Sequence, residues 1–222
     1  MAITLNALTA GSTGSVTKFT INAAPTGGRL ILLGIRTSPV GAFETPGVTG
    51  GSLTWTLVKS LNYDVANGQG IAVFRSMGTS PSGGAITVSA AGAANFNWSL
   101  VEFDGVISTT SAGDAAVRQF SFSSSAAGTN ATMTLAAFGN ANNGTYLCVA
   151  STPDSTFTLK SGYTEIHDVG ALATGWRADN DTTPAASADV GTVTWGIIAL
   201  EMIASAGAVT SIFTRSMMGC GQ

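Results

Sequence analysis

The sequence is short of charge. Lys, Arg, Asp and Glu make up 9% of its 222 residues, against roughly 25% in an ordinary soluble domain. No Lys/Arg cluster occurs and the net charge is −3. A nucleic-acid partner is therefore not expected, because phosphate-backbone binding needs a basic footprint. Long apolar runs are missing too. Leu30–Leu33 and Ile197–Leu200 fall far short of the ~20 residues of a spanning helix, so no membrane partner is expected. The start, Met1-Ala-Ile-Thr-Leu-Asn-Ala-Leu8, has neither a basic region nor a long apolar one. A leader peptide is not expected there. Two cysteines, Cys148 and Cys220, are too few for a disulfide framework. Cys148, inside Tyr146-Leu-Cys-Val-Ala150, reads as a small buried hydrophobe. Cys220 reads as a free thiol or an intermolecular link.

Catalytic signatures are equally thin. His167 is the only histidine, which removes multi-histidine metal sites from a single chain. Its neighbour Asp168 would point to the opposite face of a strand, so a Ser-His-Asp arrangement through this pair is badly placed. His167 is expected on a surface or in a loop. Neither a GxSxG elbow nor a phosphate-binding glycine loop is present. Glu102 and Asp104 would share one face of a strand, the pairing a glycoside hydrolase needs, but they read as surface or turn carboxylates. Asp179-Asn-Asp181 has the alternating oxygens that suit Ca²⁺ but lacks the glycine and closing glutamate of a calcium loop. It reads first as an Asx-rich turn. No catalytic residue, cofactor or firm metal site is assigned, and the chain is expected not to be an enzyme.

What is abundant is strand signal. Short runs of Val, Ile, Thr, Phe and Trp, bounded by Gly, Pro, Asn and Ser, predict strands at 15–22, 29–36, 54–62, 70–77, 85–89, 97–103, 116–122, 131–137, 145–151, 157–160, 163–168, 171–179 and 192–203. Sustained helical periodicity is missing. An all-β chain follows.

The runs also repeat. Arg29-Leu-Ile-Leu-Leu-Gly-Ile35 matches Thr145-Tyr-Leu-Cys-Val-Ala-Ser151, and Leu53-Thr-Trp-Thr-Leu-Val-Lys59 matches Ser155-Thr-Phe-Thr-Leu-Lys160. Gly70-Ile-Ala-Val-Phe-Arg-Ser76 matches Ala171-Leu-Ala-Thr-Gly-Trp-Arg177, and Asn97-Trp-Ser-Leu-Val-Glu-Phe103 matches Thr194-Trp-Gly-Ile-Ile-Ala-Leu200. The four blocks keep their order, the mark of an internal duplication. The expected architecture is two tandem antiparallel β-sandwich modules, of jelly-roll or immunoglobulin-like connectivity. The first spans 1–108 and the second 112–205, joined by the polar stretch Ser108–Asp114. Trp55, Trp98, Trp176 and Trp195 are the expected core anchors. Residues 206–222 form a C-terminal arm. Its Ile212, Phe213, Met217 and Met218 have no counterpart in the first module. They predict either an arm lying on a neighbouring subunit or an extra strand on the same domain.

The succession Leu-Thr-Trp-Thr-Leu-Val, Ile-Ala-Val-Phe-Arg, Ala-Ile-Thr-Val-Ser and Trp-Ser-Leu-Val-Glu-Phe-Asp-Gly-Val resembles a β-sandwich module of tailed-bacteriophage virion proteins. Similar modules occur in some bacterial surface proteins. The resemblance covers Arg29–Val106 well and Thr145–Ile203 more weakly, where Ala-Leu-Glu-Met-Ile203 replaces the Glu-Phe-Asp-Gly-Val ending. It implies a structural part of a virion, made in a host cytoplasm. With the charge-poor composition, it points to a capsid-surface accessory protein that forms homo-oligomers and contacts other virion proteins. A tail, fibre or baseplate component is the alternative. A carbohydrate-binding module, with Trp176 or Trp55 as stacking platform for a glycan, is a further one.

Overall fold

The computed structural model describes residues 2–39, 41–108 and 111–206. Among them are fourteen strands and no helix, and every strand pairing is antiparallel. The first half contributes β1 (Thr4–Ala23), β2 (Leu30–Pro39), β3 (Gly47–Gly50), β4 (Thr56–Asp64), β5 (Gln69–Ser76) and β6 (Gly84–Asp104). The second half contributes β7 (Val117–Gly128), β8 (Asn130–Thr132), β9 (Gly144–Thr152), β10 (Phe157–Leu159), β11 (Thr164–Val169), β12 (Leu172–Arg177), β13 (Ala185–Ala188) and β14 (Val193–Met202).

The first-half strands make one six-stranded sheet, ordered β1-β6-β2-β5-β4, with β3 added to β6. It curls into a half-barrel. The cause lies in β1 and β6, both far longer than an ordinary strand. Their pairing slips between Ala7 and Thr9, between Thr13 and Val16, and between Val16 and Lys18. Each slip adds bend and twist. The far ends of the two strands thus fold over β2 and β5, enclosing Ile21, Ile86 and Val88 against Ile31, Leu33 and Phe74. The prediction had cut β6 into two strands at Ala90-Ala-Gly-Ala-Ala94, and it had missed the first half of β1. The structure corrects both: β1 is paired from Thr4 onward, and β6 runs unbroken from Gly84 to Asp104, with the register jumping from Ser89 to Ala94 across those small residues.

In the second half the same duties fall to separate strands. A five-stranded sheet is ordered β7-β14-β9-β12-β11, and a three-stranded sheet β8-β13-β10 lies apart from it. Between them sits a core of Met133, Leu135, Leu147, Val149, Phe157, Trp195 and Ile197. Read from β1 and from β7, the two large sheets present their strands in corresponding order.

A third cluster joins the halves. Leu30, Leu32, Val73, Val101 and Phe103 of the first meet Tyr146, Cys148, Leu172, Ile198 and Leu200 of the second. This is why β2 and β9 are buried along nearly their whole length. One face of each strand lines its own half and the other face lines the joint. A strand buried on both faces reads as an unbroken apolar run rather than an alternation, as Leu30-Ile-Leu-Leu33 does.

Candidate functional site

Two features concentrate polar chemistry, one inside each half and one across the joint. The first is a pair of sealed carboxylates. Glu102 on β6 is fully buried, which corrects its expected place at the surface. It accepts hydrogen bonds from the Thr26 amide at 2.7 Å, Asn6 Nδ2 at 2.9 Å, Thr26 Oγ1 at 3.0 Å and Arg29 Nη1 at 2.6 Å. Burial pushes its carboxyl up, but these donors together outweigh that and hold it below the ordinary glutamate value. Asp104 stands mostly in solvent, 3.6 Å from the same arginine. With Glu102 sealed and tied to Arg29, the two carboxylates do not face each other across a cleft as glycoside hydrolysis requires.

Glu201 on β14 is the second sealed carboxylate. Its donors are the Gly139 amide at 3.0 Å, Asn143 Nδ2 and Gln119 Nε2 at 2.7 Å. Each glutamate thus takes one side-chain amide from the neighbouring edge strand, Asn6 or Gln119. Each also takes one backbone amide from the loop before the central strand, and one side chain at that strand's entrance, Arg29 or Asn143. Buried acids persist only when their lone pairs are filled in this way. Sequence reading placed Glu102 at the surface and did not single out Glu201, because the donors that permit their burial are scattered through the chain.

The second feature is a polar network across the joint. Arg36, nearly fully buried, donates to Asn97 Oδ1 at 3.2 Å and Tyr63 OH at 3.3 Å, and pairs with Asp154 of the second half at 3.2 Å. Tyr63 OH donates to the Ser151 carbonyl at 3.0 Å, and Thr152 Oγ1 to Gln69 Oε1 at 2.6 Å. His167 is neither on the surface nor in a loop, which corrects that expectation. It sits half-buried on β11 with Nδ1 2.8 Å from Ser99 Oγ, which also meets Thr174 Oγ1 at 2.8 Å. Burial lowers the His167 pKa and favours the neutral ring. Ser99 is fully buried, so its hydroxyl ties the two sheets rather than meeting a substrate. Asp168, as expected of a strand neighbour, turns the other way and accepts the Phe157 amide at 3.1 Å. The sheets approach closely here. A Cβ on Gly34 would stand 2.7 Å from Cys148 Sγ, and one on Gly196 2.7 Å from Tyr63 Cβ.

The remaining predicted residues are dispersed. Trp195 is buried in the second-half core, while Trp55 and Trp98 are partly buried against the first-half core. Trp55 Nε1 donates to the Gly50 carbonyl at 3.2 Å. Trp176 packs on the joint, its ring 5.6 Å from that of Phe103. Asp179 accepts Arg177 Nη2 at 2.9 Å, and Asp181 accepts Lys160 Nζ at 2.7 Å. Those two carboxylates are answered by the chain's own cations, and among the described residues no group of three metal-ligating side chains comes together. Cys148 is a buried free thiol, its pKa pushed up to about 12 by burial. Ile212, Phe213, Met217, Met218 and Cys220 lie outside the described residues.

No protein-family model, curated protein or solved structure matches this chain.

Proposed function

We propose that the chain is a non-enzymatic structural subunit of a phage virion, an accessory protein on the capsid surface that packs against copies of itself and other shell proteins. It is built from two tandem β-sandwich modules that arose by duplication. Support for the duplication comes from the corresponding strand orders, from the two carboxylate stations, and from the joint. There β4 lies over β7 and β14 while β11 lies over β1 and β6, a reciprocal contact of the kind two related surfaces make about a two-fold axis.

The observation that carries the packing role is the outer edge of β1. Among the described residues its ladder is hydrogen-bonded on one side only, and its 20 residues carry Lys18 as the single charge and no proline. Solitary proteins guard such edges with charge, proline or a covering segment. Here bulges bend the strand but leave Thr9–Thr13 uncharged. Together with the 9% charged composition, this describes an exterior whose hydrogen-bonding groups are met by neighbouring subunits. Quantitative mass spectrometry of purified particles tests the reading. The chain is expected at many copies per particle, in fixed ratio to the major shell protein. Its absence from particles whose host cells contain it overturns the proposal.

A further inference from the structure

An asparagine followed by glycine is open to attack from within the chain. The glycine amide nitrogen can reach the asparagine side-chain carbon, because no Cβ stands in its way. The sequence holds two such pairs, Asn67-Gly68 and Asn143-Gly144, and the structure treats them in opposite ways.

Asn143 is 2% exposed. Its Nδ2 donates to Glu201, and its Oδ1 accepts the Ala204 amide at 3.1 Å. Gly144 opens β9 and lies opposite Met202 in the ladder. Both ends of the side-chain amide are held, and the glycine beside it is fixed in a sheet. Asn67 stands exposed in the turn Val65–Gly68 between β4 and β5. Its Nδ2 donates to Asp64 Oδ2 at 2.8 Å, and among the described residues no donor reaches its Oδ1. Water can therefore stabilise that oxygen as it takes up negative charge during attack.

We infer that Asn67 is a site of spontaneous deamidation and that Asn143 is spared. The Gly68 amide nitrogen bonds to Asn67 Cγ, the Cγ–Nδ2 bond breaks, and the Gly68 amide proton leaves with Nδ2 as ammonia. A water molecule then opens the cyclic imide. Opening at Cγ leaves an aspartate at position 67, and opening at the main-chain carbonyl leaves an isoaspartate. Either product puts a carboxylate where Nδ2 had donated to Asp64, a group only 6% exposed. Like charges then meet, and Asp64 loses a donor. The isoaspartate also lengthens the main chain by one atom just before Gly68. No slack exists there, since Gly68 has a φ of 66° and a Cβ on it would run into the Gly41 carbonyl. The next residue, Gln69, accepts Thr152 Oγ1 of the second half at 2.6 Å. A disturbed turn thus reaches the joint, and the modification loosens the two halves as the protein ages.

Peptide mapping of the full chain, aged while folded for weeks at body temperature and mildly alkaline pH in heavy-oxygen water, tests this. Labelled acid is expected at position 67, about tenfold or more above the level at Asn143, because a buried site reacts only through local opening. An unmodified Asn67, or equal conversion at Asn143, overturns the inference. Asn67→Gln, whose longer side chain would have to close a larger ring, should age without change at that position. Asn67→Asp reads the consequence directly. It should denature at a lower urea concentration than wild type, and Asp64→Asn in that background should recover part of the loss. Wild-type stability in Asn67→Asp contradicts the loosening.

Discussion

The two flanks of the joint differ in how they are closed, and one pair of residues shows the difference most plainly. In the second half Trp176 lies opposite Thr164 and Tyr146. In the first half the residue opposite Thr56 and Leu32 is Arg75. The indole spreads over Phe103 and, with Leu5 and Ile166, seals the flank between β1 and β11. The arginine offers no such plate to the flank between β4 and β7, where Phe120 and Phe122 remain half in water. The joint is thus asymmetric, with a large indole on its closed flank where an arginine stands on the open one.

The comparison breaks most sharply at the sealed carboxylates. Glu102→Ala leaves the Arg29 guanidinium and three other donors without their acceptor. Removing one partner of a buried pair costs about 3–5 kcal/mol, and the partial exposure of Arg29 puts this case at the lower end. Glu201→Ala, whose closest donors are amides, should cost about 1–3 kcal/mol. Urea denaturation checks the order, and equal losses would show that the arginine adds nothing. Next in size is the flank itself. Trp176→Ala should cost about 3 kcal/mol, the low end for a large aromatic because the ring is only partly buried. Phe120→Ser/Phe122→Ser should cost less than half of that, because both rings are already half in water.

A smaller effect tests the closeness of the halves. Gly34→Ala pushes a methyl group into Cys148 and should cost about 1–3 kcal/mol by overpacking. Adding Cys148→Ala should recover part of that loss, since contacting residues couple. Additive losses in this double-mutant cycle would mean that the two sheets do not meet there. The smallest expected effect is at His167. Its folded pKa lies below the unfolded value of about 6.5, so the unfolded chain binds the proton more readily. Stability is complete above that value and is lost as pH falls through the folded pKa. Melting temperature should therefore drop on acidification from pH 7, and His167→Asn should flatten the drop. The Glu165 and Asp168 carboxyls are raised by burial, and their resistance to ionisation acts in the opposite direction. The difference between wild type and variant is thus the quantity to read.

Much of the architecture was legible in the residues, because a strand buried on both faces or on one leaves its period in the sequence. Leu30–Leu33 and Tyr146–Ala150 announced the central strands, and Phe120-Ser-Phe-Ser123 the alternation of β7. Register was harder. Matching aromatics sets Trp98 against Trp195, whereas matching the buried acids sets Glu102 against Glu201, two residues further along. A slip of two keeps every side chain on its own face, so hydrophobic pattern cannot choose between them. The polar joint was hidden for a different reason. Arg36, Asn97, Tyr63 and Asp154 come from separate strands and loops, and only tertiary packing brings them together. Glu102 and His167 were read as exposed because charged or titratable groups usually are; their donors and hydroxyl partners lie 68 or more positions away.

The central claim is that the poorly charged exterior, and above all the edge of β1, is covered by neighbouring subunits in a particle. Cryo-electron microscopy of the assembled virion tests it most directly. The account predicts density for this chain in symmetry-related copies on the shell, with Thr9–Thr13 hydrogen-bonded or packed against another subunit. A copy found with β1 facing open solvent along its whole length, and bound to the particle elsewhere or not at all, would contradict it.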